Sequence, residues 1–110
     1  MNTSNRPIER TRYSVDTDGA DVSTKRYDEI LSYEWDLARE GLLHQGESVT
    51  DFTFVDSGVV RTGVAETPTS VSFNAERVGE VEITATTSHT RTHQRVVRWY
   101  GADREARDYR

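Results

Sequence analysis

The chain has 110 residues, 34% apolar and 30% charged, with a formal net charge of −5; that length sets one domain with a lean core. The acidic balance disfavours DNA or RNA as a partner, since either requires a basic excess or patch. The lack of cysteine excludes disulfides and thiolate metal sites, and no stretch nears the ~20 apolar residues of a membrane span.

Residues 1–24, MNTSNRPIERTRYSVDTDGADVST, are polar and lack apolar periodicity. They read as an N-terminal arm in which only RYSV offers a short strand. The arm holds no apolar signal core, which predicts a soluble chain with no membrane partner. Asp16, Asp18 and Asp21 around Gly19 resemble the start of a calcium loop. An EF-hand needs glutamate at its twelfth position, where Tyr27 stands, so a solvated turn is expected. Without a core pattern, residues 1–20 are expected to be dispensable for folding.

From Lys25 the pattern sharpens, and residues 25–101 are assigned to the domain proper. Twelve valines and fourteen threonines against four leucines favour pleated, half-buried surfaces over helices. RYDEILSYEWDL puts Tyr27, Glu29, Leu31, Tyr33 and Trp35 on one face and Ile30 on the other, which predicts a strand. AREGLLHQGES is a connection with room for one helical turn. VTDFTFV places Phe52 and Phe54 together, SGVVRTGVA reads as a turn and a short strand, and TSVSFNA pairs Val71 with Phe73 behind Pro68. EVEITATT alternates most cleanly, with Val81, Ile83 and Ala85 inward. THQRVVRWY closes the set, and the charged tail 102–110 follows. Six to seven short strands at this spacing predict an all-β, immunoglobulin-like antiparallel β-sandwich with polar terminal arms.

His89 and His93 are the one pair of neighbouring imidazoles. On a strand, positions four apart lie about 13 Å from each other, whereas zinc needs each ring nitrogen within about 2.1 Å. The better parse is a hairpin turn at Ser88–Arg91 with Thr87 facing Thr92. A metal site would need His44 or a carboxylate to converge on these rings, and the sequence does not show that; no metal and no cofactor are expected. No serine sits in a Gly-x-Ser-x-Gly elbow. Asp28, Glu34 and Asp36 could surround a glycosidase-like site, but so small a sandwich has little room for a cleft. No catalytic residue is assigned, and the chain is not expected to be an enzyme. Trp35 and Trp99 lie within alternating strands and read as core or interface anchors rather than a sugar platform.

Taken in order, DEILSYEWDL, GESVTDFTFVDSGVV and TPTSVSFNAERVGEVEITATTSHTRTHQRVVRW resemble the phage fiber-tail adaptor family of tailed viruses. The resemblance spans about residues 25–100. It rests on the order of the Glu29-Ile30-Leu31 strand, the aromatic–acid stretch Tyr33–Asp36, the Gly46–Val49 turn, the Phe52–Phe54 strand ending in Asp56–Val59, TSVSF, Gly79 and VEITATTS. Two departures stand out. The family usually has glycine in the last hairpin turn where this chain has Thr90, and tends to write Asp-Trp where this chain has Trp35-Asp36.

The resemblance implies a small immunoglobulin-like virion structural protein, an adaptor in the tail or neck that joins the tail to fibers or spikes. It would act as a homo-oligomeric ring with other virion proteins as partners, located in the virion and in the host cytoplasm during assembly. On this reading Arg91, His93, Arg95 and Arg98 would form an interface with acidic residues such as Asp28 and Glu34 of another copy. An immunoglobulin-like capsid-surface decoration or carbohydrate-binding module is the alternative, and a small hydrolase a more distant one.

Overall fold

The computed structural model describes residues 13–102. Eight strands form the regular structure: β1 (Ser14–Val15), β2 (Asp21–Lys25), β3 (Leu31–Asp36), β4 (Val49–Ser57), β5 (Val60–Glu66), β6 (Ser70–Glu76), β7 (Gly79–Thr87) and β8 (Thr92–Gly101). They make two sheets, ordered β1-β2-β8-β7-β4 and β3-β6-β5. All pairings are antiparallel except β2 with β8. The β3-β6-β5 and β4-β7-β8 groupings are the two faces of an immunoglobulin-type sandwich, so the expected fold class is the observed one.

The inward residues are those whose alternation marks them in the sequence. Leu31, Tyr33 and Trp35 of β3 and Val71, Phe73 and Ala75 of β6 face Val81, Ile83 and Ala85 of β7 and Val97 and Trp99 of β8. Each large apolar side chain fully buried here stabilises the fold by about 1.5–3 kcal/mol. Both tryptophans are core anchors at 1% exposure. Trp99 packs edge-on to Tyr33 at 6.4 Å and to Phe73 at 6.2 Å, and Trp35 to Phe52 at 6.5 Å. Their polar edges are satisfied: Trp99 Nε1 donates to Tyr13 Oη at 2.8 Å, and Trp35 Nε1 to Glu40 Oε1 at 3.3 Å.

The strand count and the first boundary differ from expectation. Residues 1–12 of the arm and 103–110 of the tail lie outside the described residues; 14–15 form the short strand that RYSV offered, whereas 21–24, read as arm, belong to a strand that runs on to Lys25. β2 runs alongside β8 from Asp21↔Val97 to Lys25↔Gly101. Its inward residues are Ser23 and Lys25, so it carries no apolar alternation to reveal it. Lys25, the chain's sole lysine, is buried, and its ammonium donates to the carbonyls of Arg26 and Tyr27, at 3.1 and 3.4 Å, and of Glu29. Burial pushes its pKa down. Gathering those carbonyls folds residues 26–29 into a turn, closed by Glu29 N–H to Arg26 O at 3.0 Å. β3 therefore starts at Leu31, and Tyr27 and Ile30 are exposed rather than in the strand.

The Asp16–Asp21 segment is the expected turn. The cation it holds is the protein's own Arg98, which reaches Asp16 at 3.3 Å and Asp18 at 2.6 Å. The guanidinium lowers the Asp18 pKa.

Candidate functional site

The polar residues gather at one end of the sandwich, where the β3–β4 connection meets the β7–β8 turn. That turn is one residue longer than expected. Thr86, not Thr87, pairs with Thr92, and Thr87 N–H donates to Arg91 O at 2.9 Å. Thr87 faces inward instead. Its Oγ1 accepts N–H bonds from His89 at 3.2 Å and Arg91 at 3.3 Å, and donates to Glu47 Oε2. Thr90 holds φ +57°, the left-handed region that a β-branched residue resists.

Glu47 is the hub. Its carboxylate is buried with no exposed side-chain surface. Arg91 grips both oxygens, with Nε 3.0 Å from Oε2 and Nη2 2.6 Å from Oε1. The His44 N–H adds a bond to Oε1 at 2.7 Å. The Arg91 guanidinium holds the Glu47 carboxyl well below the usual carboxylate range, with the His44 amide and Thr87 hydroxyl adding to it against the opposing effect of burial. A buried charge of this kind persists only when paired and hydrogen-bonded.

Two imidazoles flank this carboxylate. His44 Nδ1 is 3.9 Å and His89 Nδ1 3.8 Å from Glu47 Oε1, with ring centroids 6.0 Å apart. One ligand-capable atom from each of the three residues lies within 4.8 Å of the other two. The convergence of His44 and a carboxylate on His89, which the sequence left open, is therefore present. His93 takes no part in that group. It pairs with Ala85 in β8, on the inner face, and its buried Nε2 has no hydrogen-bond partner among the described residues.

The arginines considered as interface residues are engaged within the chain. Arg95 faces inward, opposite Ile83, and binds Asp21 at 3.1 Å, Tyr33 Oη at 3.4 Å and Glu40. Burial opposes its charge, yet Glu40 and Tyr33 raise its pKa overall. Burial, then the Asp21 charge, push the Tyr33 hydroxyl far up. Arg98 adds Glu80 at 3.0 Å to its two aspartates. Arg91, His93 and Arg95 thus do not form one outward face, because the first lies in the turn and the other two point between the sheets. Asp28 is highly exposed beside Arg26, 3.8 Å away, and Glu34 lies on β3 opposite Ser72.

Glu47 has no sequence signature of its own, because a buried acid in a Gly-Glu-Ser turn looks like any turn residue without its partner 44 positions on. No protein-family model and no curated protein matches the chain. No helix among the described residues is long and apolar enough to cross a membrane.

Proposed function

We propose that the chain is a non-enzymatic assembly module of a tailed virus, an adaptor at the tail or neck that joins the tail to fibers or spikes. Its resemblance to the fiber-tail adaptor family over residues 25–100 implies a small immunoglobulin-like sandwich, and the chain has that fold. The observation that carries the reading is the free edge of β4. Of the four edge strands, β1 has two residues, β3 has six, and β5 is interrupted by a bulge between Thr62 and Ala65. β4 has nine residues and pairs without interruption from Asp51 to Ser57 on its β7 side only. Asp51, Thr53 and Val55 are exposed along it, Val55 at 65%. A long edge of this kind offers backbone N–H and C=O groups for strand addition by a neighbour. Repeated around an axis, that contact builds a ring.

With Arg91, Arg95 and Arg98 paired internally, strand addition at β4 replaces the arginine face as the contact we favour. The burial of Trp35 and Trp99 removes the aromatic platform that the carbohydrate-binding alternative would use. The test is to measure the mass of the purified full chain, alone and with tail and fiber proteins of its virus, beside a Thr53→Lys/Val55→Lys variant. The reading expects assemblies from the parent and a monomer of unchanged melting temperature from the variant. A parent that stays monomeric and ignores every virion protein would end it.

A further inference from the structure

We propose that His44, Glu47 and His89 form a binding site for a divalent transition-metal cation of the zinc class. Two imidazole nitrogens with one carboxylate oxygen is a donor set that suits zinc, copper or nickel rather than calcium or magnesium, which take oxygen ligands. Tetrahedral ligands about 2.1 Å from a zinc ion stand roughly 3.4 Å from one another. The two imidazole-to-carboxylate distances, 3.9 and 3.8 Å, need only about half an ångström of closure. The rings can supply it, since the His44 and His89 side chains are 67% and 42% exposed and lie in a connection and a turn rather than in strands. Glu47 is fixed beneath them.

Arg91 is the competing cation. Its Nη2 bonds Glu47 Oε1, the oxygen nearest both imidazoles, but also donates to Leu42 O at 2.7 Å. A metal that takes Oε1 therefore leaves Nη2 with an acceptor, and Nε keeps its bond to Oε2 at 3.0 Å. The two histidines supply most of the affinity, with Glu47 completing the charge. A fourth position stays open to solvent or to a side chain from a neighbouring molecule.

The experiment is a calorimetric titration of the untagged full chain with zinc chloride, paired with melts in zinc and in chelator. One zinc per chain is expected, with the melting temperature raised by several degrees at saturation and restored by chelator. His44→Ala and His89→Ala should each weaken binding at least tenfold, whereas His93→Gln, on the inner face, should leave it unchanged. Both key side chains are exposed and lie outside the core, so these variants keep the fold. No heat and no melting shift at millimolar zinc would overturn the proposal, as would a His44→Ala/His89→Ala double variant that binds as well as the parent.

Discussion

Arg91 grips Glu47 through both carboxylate oxygens, at 3.0 and 2.6 Å, although the two residues stand 44 positions apart in the chain. The pair ties the β3–β4 connection to the β7–β8 turn, where Ser88 N–H also donates to Ser48 O at 2.8 Å. One end of the sandwich is thus closed by a buried charge pair rather than by apolar packing.

Replacing Glu47 with Gln should lower the melting temperature several times more than breaking the more exposed Arg61–Asp56 pair by Arg61→Ala. Glu47→Gln removes the charge of a carboxylate with no exposed side-chain surface that Arg91 grips through both oxygens, whereas Asp56 is 31% exposed, and a pair at a more solvated carboxylate contributes less. The difference between parent and Glu47→Gln should also depend on pH. The folded carboxyl lies below its ordinary value of 4.5, so its contribution is complete above that pH and declines as pH falls further. Urea unfolding of both proteins at pH 7, 5 and 3 measures this. A gap that stays constant down to pH 3 would contradict it.

Thr90→Gly should raise stability. Left-handed backbone costs a residue with a side chain about 1–2 kcal/mol, while glycine gives back about 0.5–1 kcal/mol through the freer unfolded chain. The net gain expected is roughly 0.5–1 kcal/mol, read from denaturant midpoints at constant slope. A loss of stability would mean that the Thr90 hydroxyl bond to His89 O outweighs the strain.

Tyr13 ties the segment before β1 to β3 and β8. Its hydroxyl accepts from Trp99 Nε1 and donates to Ser32 O at 3.0 Å, and its ring stands 5.2 Å from that of Tyr33. Tyr13→Phe should cost about 1–2 kcal/mol. Deleting residues 1–20 should cost more, since it also removes the Ala20 burial and both Arg98–aspartate pairs. A truncated chain that melts like the parent would show that this segment contributes nothing.

Lys25 should resist amine-reactive reagents. It is 1% exposed with three carbonyl acceptors, and no other lysine is present. Acylation of the native chain at neutral pH should mark the α-amine alone, and unfolding in urea should expose one further site by mass spectrometry. Rapid labelling of Lys25 in the native state would refute its burial.

β3, β6 and β7 were legible because their buried faces repeat every second residue, as in Val81-Ile83-Ala85 and Leu31-Tyr33-Trp35. β2 was not, because what it turns inward is a serine and a lysine whose charge is satisfied by carbonyls of the next four residues. The candidate site was half legible. The spacing of His89 and His93 rightly separated those two, but the partners of His89 come from a connection more than forty residues earlier. Only the closing of the sandwich brings them together. The intrachain partners of the arginines were hidden for a related reason: alternation gives the face of a side chain, but not which acids wait for it across the sheets.

The parallel pairing of β2 with β8 has a consequence for biosynthesis. Of the described strands β8 is the last to leave the ribosome, yet it occupies the middle of its sheet between β2 and β7. Until it emerges, β2 has only the two-residue β1 beside it, and closing the register spans nearly the whole described chain. A nascent chain therefore cannot complete its larger sheet until β8 has emerged.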